Sequence, residues 1–252
     1  MTMDRRKFLK LAGIAATLGI AGKPIYNALG NEKSLSKGKR YAMVVNIGKL
    51  IENPSVMDKC IYVCNREHNI PDIKDSKDEV KWIWKEPFKY AFIEQDNYQI
   101  PESLKTFPVL LMCNHCDNPP CVSVCPTKAT WKRDEDGIVM MDWHRCVGCR
   151  YCMAACPYGS RSFNFRNPRE YIDKINSEFP TRMKGVVEKC TFCDERIAKG
   201  KKPLCVEACP DNEIIFGDLN DNNSEIRKVL RNNYSIRRKP ELGTQPEIYY
   251  IV

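Results

Sequence analysis

The chain has 252 residues, 43% of them hydrophobic, and a formal net charge of +8. This length suffices for one large domain or two small ones, and the sequence lacks the run of 18 apolar residues that predicts an ordinary membrane-spanning helix. Fourteen cysteines, which occur in groups, are the strongest compositional signal.

The first 30 residues predict an export signal. Arg5 and Arg6 precede Lys-Phe-Leu-Lys, and an apolar stretch rich in Ala and Gly follows over residues 11–22. This pattern is typical of a twin-arginine signal peptide, which suits a chain that folds around a cofactor in the cytoplasm before export. Residues 28–30 form a weak cleavage site, so cleavage and retention as an anchor both stay open, as does a plain basic amphipathic start. The predicted location is the periplasm or the outer face of the cytoplasmic membrane.

Residues 31–108 predict a degenerate cysteine group and then a strand-rich insert. Cys60 and Cys64 have three residues between them, like the last two cysteines of the complete groups that follow. Within the insert, Trp82 and Trp84 alternate with other residues as in a half-buried strand, and prolines interrupt the pattern.

Three complete cysteine groups come next, and each ends in Cys-Pro. They are Cys113-x2-Cys116-x4-Cys121-x3-Cys125, Cys146-x2-Cys149-x2-Cys152-x3-Cys156 and Cys190-x2-Cys193-x11-Cys205-x3-Cys209. The second matches the bacterial ferredoxin run C-x2-C-x2-C-x3-C-P, whose first three cysteines ligate one [4Fe–4S] cluster and whose fourth ligates the neighbouring cluster. Groups of this kind therefore work in pairs.

The first two groups predict an embedded two-cluster ferredoxin module at residues 109–170. Cluster one would be held by Cys113, Cys116, Cys121 and Cys156, and cluster two by Cys146, Cys149, Cys152 and Cys125. Between the groups, residues 129–132 and 138–141 predict a hairpin that turns at Asp136-Gly137, with Trp131 at a half-buried strand position.

The third group has only the degenerate group as its partner. Cluster three would be held by Cys190, Cys193, Cys205 and Cys64. Leu50 and Asn53 stand at about the places where a fourth cluster needs ligands, so the predicted total is three clusters, and Cys60 and Cys209 are left over. These two should lie close together, and three states stay open: a disulfide, two buried free thiols, or a site that a different ligand completes.

The basic charge balance does not require a nucleic-acid partner. Residues 1–30 contain five basic residues and one acidic residue, so they contribute +4 and leave +4 for the rest of the chain. Three clusters held by four thiolates each would add about −6. The loaded protein would therefore carry a small negative charge.

Other uses of the cysteines fit less well. Seven disulfides do not explain the regular spacings, and zinc sites do not explain C-x2-C-x2-C or the Cys-Pro endings. His115 and His144 could ligate iron, but four cysteines suffice for each cluster, so a hydrogen bond to a ligand or a surface position is predicted for both, and a structural role for His68. Since GxGxxG, nucleophile-elbow and HExxH motifs are absent, the chain is predicted to have no catalytic role of its own.

The C-terminal part predicts a strand and then a short helix that begins near Ser224. Residues 249–252 are predicted to form an edge strand or to dock on a partner. Taken with the repeated cysteine groups, these elements predict an α+β, duplicated bacterial-ferredoxin-like iron–sulfur fold with long loops, spanning residues 31–252.

Four-group iron–sulfur subunits of molybdenum oxidoreductases and quinone-linked complexes resemble this chain over residues 40–252. The resemblance rests on "CNHCDNPPCVSVCPTKAT", "HRCVGCRYCMAACPYGSRSFNF", "VEKCTFCDERIAKGKKPLCVEACP" and "FGDLND". The export signal, the degenerate group, "FPTRMKGVVEKC" and "RRKPELGTQPEIYYIV" are most similar to the DsrO family, the extracytoplasmic iron–sulfur subunits of DsrMKJOP membrane complexes.

This resemblance implies an electron-transfer subunit in sulfur metabolism. Its partners would be an integral membrane quinone-interacting subunit (DsrP-like) and a multihaem cytochrome c (DsrJ-like). The alternatives are the iron–sulfur β-subunit of an exported molybdopterin oxidoreductase, and a metal-stabilised interaction module without a redox role.

Overall fold

The computed structural model describes residues 38–95 and 97–252. The predicted export signal, at residues 1–30, lies outside the described residues. Within the described ranges no helix combines the length and the apolar character that crossing a bilayer requires.

A four-stranded sheet with the strand order β8–β1–β10–β9 organises the described chain. Its strands are β1 (Tyr41–Asn46), β8 (Ile214–Asp218), β9 (Ser235–Ile236) and β10 (Ile248–Ile251). Met43 of β1 pairs with Ile248 in a parallel ladder and with Phe216 in an antiparallel one. The apolar run of β1 is fully buried, as expected for a strand that is covered on both faces.

The position of β10 corrects the prediction of an edge strand or a partner-docking segment at residues 249–252. β10 lies inside the sheet, between β1 and β9, and Tyr250 is fully buried. Its neighbour β1 comes from the other end of the described chain, so the local sequence pattern carries no sign of the pairing.

Helix α9 (Glu225–Asn232) follows Ser224 as predicted and packs on this sheet. Its Ile226 is fully buried against Gly217 of β8, where an added Cβ would come within 2.8 Å of Ile226 Cγ2. The glycine therefore lets the helix approach the strand closely.

The degenerate cysteine group lies on two helices, α1 (Ile47–Glu52) and α2 (Ser55–Glu67). Asn46 ends β1 and caps α1, since its side chain accepts a hydrogen bond of 3.0 Å from the Lys49 backbone N–H. Val56, Cys60 and Cys64 recur every four residues and share the buried face of α2. The two cysteines thus lie one helical turn apart on one face.

The insert after α2 is less rich in strands than predicted. It contains β2 (Ile83–Pro87), which pairs with β3 (Pro108–Met112), and two short helices, α3 (Phe88–Ala91) and α4 (Glu102–Thr106). Prolines at residues 87 and 101 precede these helices, because a fixed φ is compatible with a helix start. Trp84 is half-buried as predicted, whereas Trp82 is fully buried.

The hairpin predicted between the first two groups is confirmed. β4 (Thr130–Lys132) pairs with β5 (Val139–Met141), and Gly137 has the positive φ of +75° that the turn requires. Trp131, on β4, is 37% exposed.

The remaining elements are short. They are the strands β6 (Ser162–Phe163) and β7 (Val187–Glu188), the helices α5 (Pro120–Ser123), α6 (Tyr151–Ala154), α7 (Asp194–Ile197) and α8 (Leu204–Glu207), and 3₁₀ turns at Ile93–Gln95, Pro168–Tyr171 and Pro240–Leu242. Each of α5 to α8 lies within or beside a cysteine group, and the described chain mixes helices and strands in an α+β fold.

Candidate iron–sulfur cluster sites

The cysteines predicted for cluster one line a single cavity. Cys113, Cys116, Cys121 and Cys156 surround it, together with Val139 and Pro157. Burial raises the pKa of the Cys116 thiol to about 12, and the neighbouring thiols at 113, 121 and 156 add to the rise. The structure therefore brings these four side chains together.

The cysteines predicted for cluster three also converge, although Cys64 comes from α2 and the others come from residues 190–205. Burial raises the pKa of Cys64 well above its usual value, and Cys193, Cys190 and Cys205 raise it further. All four are buried, so the degenerate group delivers one thiol to the third group.

The cysteines predicted for cluster two lie nearer the surface. Cys125, Cys146 and Cys152 belong to one apolar cluster, and Cys149 is exposed. Burial raises the pKa of Cys152, and the thiols of Cys121 and Cys146 contribute in the same direction.

The three sets follow one another in space. Cys113 of the cluster-one set raises the pKa of Cys190 in the cluster-three set, after burial, to about 12. Cys121 of the cluster-one set likewise raises the pKa of Cys152 in the cluster-two set, where burial is the largest cause. The cluster-one set therefore has a thiol close enough to act on each of the other two sets, and a row with cluster one in the middle fits this proximity.

The two leftover cysteines meet at the far end of this row. Cys60 Sγ lies 3.3 Å from Cys209 Sγ, and Cys209 contributes to the raised pKa of Cys205 in the cluster-three set, where burial is the largest cause. Apolar side chains of α1 and α2 share the apolar core with these two thiols. They are Ile47, Leu50, Val56 and Met57, and all four are buried.

The backbone around the cysteines fits metal-bound thiolates. The N–H groups of Phe192 and Leu204 point to Cys190 Sγ and Cys193 Sγ, at 3.4 Å and 3.5 Å. Positive φ values at Phe192 and Cys193 (60° and 53°) wrap the chain around the third group. Hydrogen bonds from N–H groups to sulfur stabilise the charged thiolates that a cluster requires.

Two buried cations fit the same interpretation. Arg161 Nη2 lies 3.0 Å from Cys121 Sγ, and Lys189 Nζ lies 2.7 Å from the Cys190 carbonyl oxygen. Both side chains are at most 4% exposed. A buried cation is costly without a compensating anion, and a four-thiolate cluster supplies negative charge at this place. When bound, such clusters supply one-electron transfer. These two cations could not be recognised in the sequence, because Arg and Lys are usually surface residues.

The three histidines differ in position. His144 is exposed and His115 is buried, where its Nδ1 accepts a hydrogen bond of 3.2 Å from the Val139 N–H. His68 is buried, and its Nδ1 lies 3.0 Å from the Cys64 carbonyl oxygen and 3.6 Å from Cys64 Sγ, while its Nε2 lies 3.2 Å from Glu195 Oε1. His68, Glu195 and Cys193 also form a compact group within 4.8 Å of one another.

Comparison with known proteins agrees with this chemistry. A family model described as a 4Fe-4S dicluster domain matches residues 105–174 and 169–219. The Hdr-like menaquinol oxidoreductase iron-sulfur subunit 1 of Archaeoglobus fulgidus is 38% identical over 98% of this chain and 97% of its own length.

Two further relatives match most of the chain. The menaquinone reductase iron-sulfur cluster-binding subunit of Nitratidesulfovibrio vulgaris is 34% identical over 84% of this chain and 88% of its own length. A tetrathionate reductase subunit of Salmonella typhimurium is 35% identical over 100% of this chain and 89% of its own length. The chain therefore belongs to the family of [4Fe–4S] iron–sulfur subunits, which transfer electrons within larger oxidoreductase complexes and are not themselves the catalytic enzymes.

Proposed function

We propose that this protein is an exported electron-transfer subunit with three [4Fe–4S] clusters in a row. The observation that carries the proposal is the convergence of cysteines, with cluster one between clusters three and two. The fold is the duplicated bacterial-ferredoxin-like arrangement, in which each group donates its last cysteine to the cluster of its partner group.

A duplicated ferredoxin arrangement has room for four clusters, and we propose that this chain lacks the fourth. Two thiols, Cys60 and Cys209, do not suffice to hold a cube, and buried Leu50 occupies one of the places where a further ligand belongs. Asn53 ends α1 and its side-chain amide donates to Glu213 Oε1 over 3.4 Å.

Electrons would pass between a membrane quinone-interacting subunit and a cytochrome c or another redox protein. The relatives named for a menaquinol oxidoreductase and a menaquinone reductase support a quinone-linked complex. Among quinone-linked complexes, the degenerate first cysteine group and the predicted export signal favour a DsrMKJOP-type complex on the outer face of the cytoplasmic membrane. The partners would be DsrP-like and DsrJ-like.

The second candidate is the iron–sulfur subunit of an exported molybdopterin oxidoreductase. The relatives named as subunits of tetrathionate reductase and dimethyl sulfoxide reductase favour it, because the first is similar over the whole of this chain. The electron path inside the chain would be the same, and the partner would differ.

Iron and acid-labile sulfide per chain test the cluster count on protein purified without oxygen. Three cubes predict about twelve of each. About sixteen would overturn the count and reveal a fourth cube with unrecognised ligands. Zinc in place of iron would exclude the electron-transfer proposal.

Co-purification from detergent-solubilised membranes tests the partners. A quinone-linked membrane subunit together with covalently bound haem would support the DsrMKJOP-type complex. A tightly bound molybdopterin subunit without haem would instead support the second candidate.

A further inference from the structure

Four cationic side chains are buried among the described residues, and only one of them has a carboxylate partner. They are Arg161, Arg182, Lys189 and Arg238. Arg182 pairs with Glu188 at 2.6 Å. Within residues 38–95 and 97–252, the other three have no carboxylate oxygen within ion-pair distance and use other acceptors.

Arg161 lies between the cysteines of clusters one and two. Its Nη2 donates to Cys121 Sγ at 3.0 Å and to Thr130 Oγ1 at 2.8 Å. Burial acts to lower the pKa of Arg161, but the thiols of Cys121 and Cys152 outweigh it and raise the pKa. Its guanidinium charge therefore acts on both neighbouring sets of thiols, with the direct contact on the cluster-one side.

Lys189 occupies the corresponding place between clusters one and three. Its Nζ donates to the carbonyl oxygen of Cys190, in the cluster-three set, at 2.7 Å. It also donates to the carbonyl oxygen of Val139, a residue that lines the cluster-one cavity. Lys189 thus contacts a residue of the cluster-three set and a residue of the cluster-one cavity.

Arg238 adds a third positive charge at the cluster-one cavity. Its guanidinium lies 5.5 Å from the centre of the Tyr158 ring, and Tyr158 lines that cavity. Arg238 also donates to the carbonyl oxygens of Ala91 and Tyr158, at 3.1 Å and 3.4 Å.

A fixed buried cation favours the form of a nearby redox centre that carries one more electron. The effect is large in a poorly polarisable interior and decreases with distance. Arg161 and Lys189 both donate hydrogen bonds to residues of the cluster-one set or its cavity, whereas Lys189 alone donates to the cluster-three set and Arg161 is the buried cation that acts on a thiol of the cluster-two set.

We propose that Arg161 and Lys189 make the central cluster, cluster one, the most easily reduced of the three, so that an electron in transit rests in the middle of the row. This inference rests on the three-cluster assignment of the proposed function. Both side chains act on the cluster by their charge and by positioning, and neither is a ligand.

The test is an anaerobic potentiometric titration of the intact protein, followed by electron paramagnetic resonance. Arg161→Met and Lys189→Met remove one charge each, and Arg161→Lys and Lys189→Arg retain it. Arg145→Met is a matched control, because Arg145 is 66% exposed near cluster two and already pairs with Asp142.

Each Met variant should lower the midpoint potential of the signal that is reduced first in the unmodified protein. We expect about a tenfold change in its reduction equilibrium, which is about 59 mV for one electron. The second signal that shifts should differ between the two Met variants, since Arg161 also faces cluster two and Lys189 also faces cluster three. The charge-retaining variants and the Arg145 control should shift much less.

The proposal is overturned if the two Met variants share no shifted signal, or if the signal they share is not the first to be reduced. It is also overturned if the charge-retaining variants shift as much as the Met variants. Iron content separates this failure from a failure of the cluster count: about twelve irons per chain with these results would contradict only the inference about the cations.

Discussion

The thiols of Cys60 and Cys209 are close enough to become a disulfide with a small movement of the side chains. Their Sγ atoms lie 3.3 Å apart, against about 2.05 Å in the bond. In thiol–disulfide exchange, one thiolate attacks an external disulfide and the second displaces the mixed disulfide, so that two external thiols are released. The bond would join α2 to the end of α8, the elements that also carry Cys64 and Cys205.

With the export that we propose, we expect the protein to contain this disulfide. Protein unfolded without oxygen in chelator and iodoacetamide, with no reductant, should yield a peptide pair joined through Cys60 and Cys209, while the twelve ligand cysteines are alkylated. Cys60→Ala should leave Cys209 alkylated and should reduce stability by about 2–4 kcal/mol. Complete alkylation of both residues in the unmodified protein would show that they are buried free thiols.

Gly148 is the point where the loop of the second group needs a residue without a side chain. Its φ is +70°, and an added Cβ would lie 2.4 Å from the Gly185 carbonyl oxygen. Gly148→Ala should therefore displace the loop that carries Cys146 and Cys149 and remove cluster two, which lowers the iron content from about twelve to about eight per chain.

Gly159→Ala is the matched control for this change. Gly159 has a similar φ of +65°, but an added Cβ would meet no atom within 4 Å. Gly159→Ala should lower the free energy of unfolding only by the left-handed backbone strain, about 1–2 kcal/mol, and the variant should retain its full iron content. Equal iron loss in both variants would mean that the backbone conformation matters and the close approach to Gly185 does not.

The convergence of the cysteine sets could be predicted at the level of residues, whereas their surroundings could not. The spacing of thiols around a cluster is a local constraint, so it is visible directly in the sequence. Arg161 and Lys189 look like ordinary surface cations in the sequence, and only the folded chain shows that they are buried between sets of thiols. The contact of His68 with Cys64 is different, because the two residues are four apart at the end of one helix, and this spacing is a local signal that sequence reasoning missed.

Among the elements, the hairpin β4–β5 and the start of α9 were predictable, and the place of β10 was not. A turn at Asp136-Gly137 and a serine before a helix are local signals. The pairing of β10 with β1 joins segments from opposite ends of the described chain, and the strand's own pattern only shows that it is apolar.

Because β10 is central, its side chains should matter for the whole fold. Tyr250 is fully buried and its ring meets Phe92 edge-on, with 4.9 Å between the ring centres. Tyr250→Ala should destabilise the protein by about 3–5 kcal/mol through the cavity it leaves. The measurement is the denaturant midpoint of the far-ultraviolet circular dichroism signal, taken without oxygen.

Tyr250→Phe is the control for this prediction, since it keeps the ring and removes only a hydroxyl that donates to the Leu110 carbonyl oxygen over 3.4 Å. We expect a change of about 1 kcal/mol or less for the control. A midpoint for Tyr250→Ala that matches the control would place β10 at the periphery, as its sequence pattern alone predicts.

For the whole molecule, the proposed export route depends on whether the clusters are inserted before or after the chain crosses the membrane. The thiols proposed for clusters one and three are largely buried in the folded chain, so we expect these clusters to be inserted before the chain closes around them. A chain that crosses a membrane unfolded could not carry them, which is why a twin-arginine signal at residues 1–30 is consistent with the fold of residues 38–252. The signal itself stays a prediction.

Replacing Arg5 and Arg6 with lysine tests the signal without changing the net charge of +8. The double variant should remain in the cytoplasm with about twelve irons per chain, because cluster insertion precedes recognition of the paired arginines. Cell fractionation and protease accessibility in spheroplasts report the location. Lys10→Arg, a substitution that also preserves charge but lies outside the pair, should be exported normally. If the double variant is exported as well, the N-terminus is not a twin-arginine signal, and the buried clusters must then be assembled on the far side of the membrane.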